Sequence, residues 1–293
     1  MTETFHAISA NTATSKARRR GFTLIELLVV ISIIAILAAM LLPVITRAKL
    51  RAQGIACMSN TKQLATGWIM YLNDNQDELI PNPGWAAGST MTWGSSLDNI
   101  DTGPLLTNST DAMGYYVKSA SVYKCPSDIY QSKDNPGPHV RSVSMNGGLG
   151  GSTPTVKGTN PDNRQYYGSG GAGSCTKMSQ LKTPGPAMVY VVLDEQADSI
   201  CALNGDATYA FDPGPSINSE QWRDLPASYH NNCGSFSFAD GHSELHRWLV
   251  TSGNNKTTYL VTMTTYGASG APWKNTQGHS EDFEWVQDRM PYR

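Results

Sequence analysis

The chain has 293 residues, enough for one membrane segment and one sizeable outer domain. Charged residues make up only 16% of it, while glycine and proline number 27 and 16, so loops and turns take a large share. With a net charge of −2 and no basic stripe beyond an N-terminal cluster, nucleic acid is not expected as a partner.

Lys16, Arg18, Arg19 and Arg20 stand directly before an apolar run, Phe22 to Leu42, that is long enough as a helix to cross one bilayer core. A basic cluster there favours a cytoplasmic N-terminus and a body on the other side. Arg47, Lys49 and Arg51 follow the run and weaken that asymmetry. One acid, Glu26, interrupts the run. A carboxylate in lipid is costly and is tolerated where something pairs with it. An uncleaved anchor would account for the run. A secretory signal fits less well, because the run exceeds the usual length and no small-x-small site ends it.

Gly21 followed by Phe22-Thr23-Leu24-Ile25-Glu26, between a basic leader and an apolar helix, resembles the processing site of type IV prepilins and type II secretion pseudopilins. The resemblance implies cleavage between Gly21 and Phe22 by a prepilin peptidase, N-methylation of Phe22, and a role for Glu26 in assembly. Cleavage would create an amine at Phe22 that Glu26 of a neighbouring copy can pair with, so that two charges unfavourable alone become tolerable together. The alternative is a Glu26 that hydrogen-bonds the backbone at the helix start, favoured by the helix dipole. Pro43 removes one helical hydrogen bond, so the helix either kinks or melts locally there or ends.

From Val44 to about Asn73, Ala48, Ala52, Ile55, Ala56, Leu64, Ala65, Trp68, Ile69 and Leu72 recur at helical spacing, and Asn73-Asp74-Asn75 supplies a stop. The expected plan is α+β and pilin-like: a long N-terminal spine helix, its first half in the membrane, packed on an antiparallel sheet head with long loops. The segments are a leader over 1–21, a transmembrane and assembly helix over 22–43, the distal spine over 44–76 and the exported head over 77–293.

Glu78 to Pro184 reads as extended irregular loops, above all the glycine-rich stretch from Asn146 to Gly173. Met188 to Leu193 reads as a central strand ending at Asp194-Glu195. Ser235-Phe236-Ser237-Phe238-Ala239, Asp240-Gly241 and His242-Ser243-Glu244-Leu245-His246 read as a hairpin with a two-residue turn. That register sets Phe236 opposite Leu245 and Phe238 opposite Ser243, with Phe236, Phe238 and Leu245 on the face that presses on the spine helix.

Candidate ligands follow from residue type. His242, Glu244 and His246 line one face of the second hairpin strand, as metal ligands or as an ordinary solvated face. Asp194, Glu195 and Asp198, with Asp206 and Asp212 beyond, offer oxygen atoms suited to Ca2+, though no EF-hand spacing is present. Some pseudopilins that this chain resembles hold calcium in C-terminal loops. The five cysteines, Cys57, Cys125, Cys175, Cys201 and Cys233, form no CxxC pair, so a zinc ribbon is not expected. If the body is exported, the preferred disulfide is Cys57 with Cys125, each followed by an ordered-looking segment; reduced core cysteines are the alternative.

His230, nine residues, then Asp240-Gly241 resembles the C-terminal motif of a large prepilin-like group found in Planctomycetes and their relatives. Asp224-Leu225-Pro226-Ala227-Ser228-Tyr229, Cys125-Pro126-Ser127-Asp128 and Arg141 to Asn146 also fit that group, which brings no established activity. A structural His230 would hydrogen-bond across the hairpin base and lock the Asp240 turn. Ser228 beside His230 is a pair in sequence alone and no nucleophile elbow occurs, so no enzyme is expected.

The resulting expectation is a structural pilin or pseudopilin subunit of a type II secretion or type IV pilus-like filament. It would span the inner membrane once with its C-terminal domain periplasmic or extracellular, its partners being the prepilin peptidase, the assembly platform and other pilin-like subunits. The alternative is a membrane-anchored glycan-binding or adhesion module that uses Trp85, Trp93 and Tyr115.

Overall fold

A computed structural model describes residues 22–82, 85, 86, 97–106, 113–131, 137–150, 175–197, 199, 200, 222, 224–253, 256–259, 261 and 280–292. At residues 98, 156–159, 165–167, 210 and 211 the backbone alone is described. Gly21, Trp93, Asp198, Cys201, Asp206 and Asp212 lie outside these residues. The chain divides after Thr46 into two units.

Helix α1 runs from Leu24 to Asp74 with Pro43 inside it, so the helix does not end at that proline. Thr23 and Glu26 start it as a capping box: Glu26 Oε2 accepts from Thr23 N at 2.9 Å and Thr23 Oγ1 at 2.8 Å, and Thr23 Oγ1 accepts from Glu26 N at 3.2 Å. In the first unit Phe22, Leu24, Ile25, Ile31, Ile36, Leu42 and the other large apolar residues up to Ile45 are all exposed. Helix α1 ends before two positive-φ residues, Gln76 and Asp77.

In the second unit α1 buries Gly54, Cys57, Thr61, Leu64, Ala65, Gly67, Trp68, Tyr71 and Leu72. Ala48, Ala52, Ile55 and Ala56 are exposed, contrary to the apolar-spacing reading. The physical reason is that this stretch of helix meets polar groups of the head, so its inward residues are small or hydrogen-bonding: Thr61 Oγ1 is 2.8 Å from Ser235 Oγ.

The main sheet has the order β5-β1-β4-β6-β7, with β1 Val143–Asn146, β4 Tyr190–Asp194, β5 Ala210–Phe211, β6 Cys233–Phe238 and β7 Ser243–Arg247. The first three of its pairings, β1 with β4, β4 with β6 and β6 with β7, are antiparallel, and β5 joins β1 in parallel. A separate pair, β2 Val156–Thr159 and β3 Gln165–Tyr167, lies in the glycine-rich stretch. Short helical turns include α2, Met113–Tyr116. Glu78 to Pro184 is thus not loop alone. Strand β1 hid because both its faces are buried, which removes the alternation that a half-exposed strand would show.

Two cores flank the sheet. One gathers Leu64, Trp68 and Tyr71 of α1 with Val143, Met145, Val191 and Val192. The other gathers Tyr190, Leu193, Phe236, Phe238 and Trp248 with Phe283 and Val286 of α3, Glu281–Gln287. A register irregularity between Tyr190 and Val192 explains how Val191 and Val192 reach the same core: a bulge breaks strict alternation.

The β6–β7 hairpin corrects the expected register by one residue. Phe236 is opposite Glu244, Ser235 opposite Leu245 and Ser237 opposite Ser243. The turn is closed by Gly241 N donating to Phe238 O at 2.9 Å, and Gly241 has φ +91 while Asp240 is not in the left-handed region. A longer loop with a single left-handed glycine replaces the two-residue turn, and a one-residue shift exchanges faces. Phe236 and Phe238 therefore lie in the core away from α1, whereas Leu245 reaches it: a Cβ added at Gly54 would stand 3.1 Å from Leu245 Cδ1.

Candidate metal centre

Four ligand-type side chains from distant parts of the second unit converge. Cys57 comes from α1, Cys125 from the loop after a short helical turn, Asp194 from the end of β4, and His230 from the turn before β6. Their sulfur, oxygen and nitrogen atoms all lie within 4.8 Å of one another, and all four residues are buried. Cys57 Sγ is 3.4 Å from Asp194 Oδ2, Cys125 Sγ is 3.2 Å from His230 Nε2, and His230 Nε2 is 3.5 Å from Asp194 Oδ2.

Local sequence holds each group. Gly54, one turn before Cys57, lets His230 approach the helix: a Cβ there would come within 3.2 Å of His230 Cβ. Asn231 and Asn232, both with positive φ, turn the chain back into β6 directly after His230. Asp194 Oδ1 accepts from Ser235 N, leaving Oδ2 for the cluster. Ser127 Oγ lies 3.2 Å from His230 Nδ1, and Ser127 N donates to Cys125 Sγ at 3.4 Å.

Electrostatics couple the four. Burial works against a charge on His230, but Asp194 and Cys125 outweigh it and push the imidazole up to about 10. Burial raises the Cys125 thiol, yet hydrogen bonds from Cys57 and His230 bring it down to about 7. The Cys57 thiol is pushed up by its hydrogen bond with Cys125 and by burial. A cysteine nucleophile with a histidine base would need the orienting carboxylate on the far ring nitrogen. Here Asp194 and Cys125 share the Nε2 side and Ser127 takes Nδ1, so the arrangement suits a shared ligand better than a catalytic dyad.

The other candidate residues are placed differently. His242 Nδ1 pairs with Asp240 Oδ1 at 2.6 Å and its ring stacks on Phe238. His246 stacks on Trp285 at 3.6 Å between centroids. Asp240 is thus held by its near neighbour, and the expected bond from His230 to the Asp240 turn is replaced by bonds to Cys125, Ser127 and Asp194. Glu195 points away from Asp194: its carboxylate accepts from Ser144 and, at 2.8 Å, from Ser199. Adjacent strand residues face opposite sides, so these two acids do not form one oxygen site. Trp85, expected at a binding surface, is fully buried against Tyr123. Beside Ser127 a cleft of about 500 Å³ is lined by Lys49, Tyr130, Ser228, Tyr229 and Tyr259 among others.

Sequence reasoning paired Cys57 with Cys125 as a disulfide, whereas both are free thiols here, and it placed Asp194 in an oxygen site and His230 in a structural motif, so the meeting of the four was missed. Gaps of 137 residues between Cys57 and Asp194, and 105 between Cys125 and His230, match no ligand-spacing motif. The usable signal was the small-residue face Gly54, Cys57 and Thr61 on α1.

No curated protein and no solved structure matches the chain. Residues 16–42 match the family model of the prokaryotic N-terminal methylation motif. That motif leads directly into a helix long and apolar enough to cross a membrane, and the chain is prepilin-like in this N-terminal segment.

Proposed function

We propose that the protein is a structural subunit of a type II secretion or type IV pilus-like filament, cut between Gly21 and Phe22 and methylated at Phe22. The observation that carries this reading is the methylation motif followed by a helix whose large apolar residues from Phe22 to Ile45 are all exposed. Apolar side chains on every side of a helix suit lipid first and neighbouring helices afterwards. The inner membrane holds the helix before assembly, with the N-terminus cytoplasmic and the second unit across the membrane. Prepilin peptidase, the assembly platform and other pilin-like subunits are the partners.

Mass spectrometry of the chain isolated from its own host tests the reading. A methylated Phe22 as the first residue is expected; a chain that keeps residues 1–21 in cells with active prepilin peptidase overturns it.

A further inference from the structure

We propose that Cys57 Sγ, Cys125 Sγ, Asp194 Oδ2 and His230 Nε2 bind one zinc ion in a closed, structural site. Bonds about 2.0–2.3 Å long in a tetrahedral zinc site imply ligand–ligand edges of roughly 3.3–3.8 Å. The separations of 3.4 and 3.5 Å fall within those edges, that of 3.2 Å lies just below them, and all four atoms are within 4.8 Å of one another, so shifts of an ångström or so at the ligand side chains seat a zinc ion. Two thiolates, an imidazole and a carboxylate are a donor set that favours zinc over calcium or magnesium.

The groups behind the ligands are also in place. With Ser127 Oγ accepting from Nδ1–H, His230 presents Nε2 as a lone pair toward the cluster. The backbone N–H groups of Ser127 and Ser235 donate to Cys125 Sγ and to the free oxygen of Asp194. Two thiolates and a carboxylate around a dication leave one negative charge, which these donors and the neighbouring Lys124 ammonium offset. Binding releases to solvent the protons that Cys57, Cys125 and the His230 ring hold at the cluster, and changes no oxidation state. All four ligands come from the protein and are buried, so no open position is left for catalysis; the ion ties α1 to two loops and the central strand. The site lies wholly within the second unit and does not depend on the filament reading.

A Cys57–Cys125 disulfide is the competing state of the same sulfurs, and it requires an oxidant. The test uses the full chain in detergent. Zinc per chain is measured directly, and cobalt is added to reduced, metal-free protein. One zinc per chain and a cobalt spectrum with thiolate charge-transfer and tetrahedral d–d bands are expected. Cys57→Ser, Cys125→Ser and His230→Gln should each lose at least tenfold of the bound metal, whereas Cys233→Ser retains it. Wild-type protein that takes up neither metal overturns the proposal without recourse to any variant. So does native protein in which Cys57 and Cys125 resist alkylation and appear as one bridged peptide, or ligand variants that hold as much zinc as wild type.

Discussion

Ser127 Oγ stands 3.2 Å from Nδ1 of His230, on the side of the ring opposite Cys125 and Asp194. A hydroxyl there orients the imidazole without adding charge. Loss of such a partner typically costs 10–100-fold in metal affinity. Ser127→Ala is therefore expected to weaken zinc by about that factor. Chelator competition measures it, and Ser127→Thr should restore most of the affinity. If Ser127→Ala lowers the melting temperature of metal-free protein but leaves zinc affinity unchanged, Ser127 only packs.

At Gly67 of α1 an added Cβ would lie 2.4 Å from Val117 Cγ2. Alanine gains about 1 kcal/mol of helix propensity over glycine. Overpacking a buried contact costs about 1–3 kcal/mol. Gly67→Ala is expected to destabilise by up to about 2 kcal/mol, and Val117→Ala to relieve most of that in the double variant. Denaturant melts of the four proteins in the cycle decide it; simple additivity would show that Val117 does not limit the approach.

Burial pushes His246 down from 6.5 to about 4, with Asp282 opposing and Arg289 assisting. The neutral ring lies between Trp285 and Phe236, and Glu244 flanks Arg289. The unfolded chain takes up a proton near pH 6.5, but the folded chain does so only near 4. The unfolded state therefore binds more protons in that window, and stability is full above pH 6.5 and lost as pH falls toward 4. His246→Gln should flatten the melting temperature between pH 7 and pH 4 relative to wild type. Parallel profiles would place the acid sensitivity elsewhere.

The spine helix, the central strand and the hairpin were legible because each carries a periodic apolar pattern or a strong turn residue. The hairpin register was not: Asp240-Gly241 is compatible with two loop lengths, and the shift depends on which backbone bonds the rest of the sheet leaves free. The inward face of α1 was misread near Ile55 because its inward residues there, Gly54, Cys57 and Thr61, are small and meet mainly polar groups such as His230 and Ser235, with Leu245 beside them. The metal centre was half visible. Residue type singled out Cys57 and Cys125 as a disulfide and Asp194 as an oxygen ligand, and His230 stood out through its spacing to Asp240-Gly241, but their convergence is set by tertiary packing among four segments with no local spacing rule.

In the isolated chain Glu26 is engaged by Thr23 of its own helix start. Pairing with a neighbour's amine would compete with that capping box. Glu26→Ala is expected to leave cleavage after Gly21 intact and to abolish incorporation into filaments. Thr23→Val, which removes the hydroxyl partner of Glu26 and leaves it only the backbone N–H of residue 23, should still assemble. Filaments that take up Glu26→Ala at the wild-type level would leave the carboxylate with the capping role alone.

Asp282 is fully buried and serves as an acceptor for three donors: Leu249 N at 2.9 Å, Val250 N at 3.0 Å and Thr257 Oγ1 at 2.7 Å. A carboxylate suits this because it accepts at both oxygens and donates nowhere. In Asp282→Asn the amide nitrogen must face at least one of these donors, leaving a buried N–H pair without an acceptor between them. Charge-assisted bonds are stronger than neutral ones, and an unsatisfied buried donor costs about 1–3 kcal/mol. Asp282→Asn should therefore destabilise by about 2–4 kcal/mol, and Thr257→Val by only about 1 kcal/mol, since it removes one donor and leaves the carboxylate its two backbone partners. Urea melts of both variants measure the difference. An Asp282→Asn loss no larger than that of Thr257→Val would mean that the strand-to-α3 link rests on Phe283 and Val286 packing, not on this carboxylate.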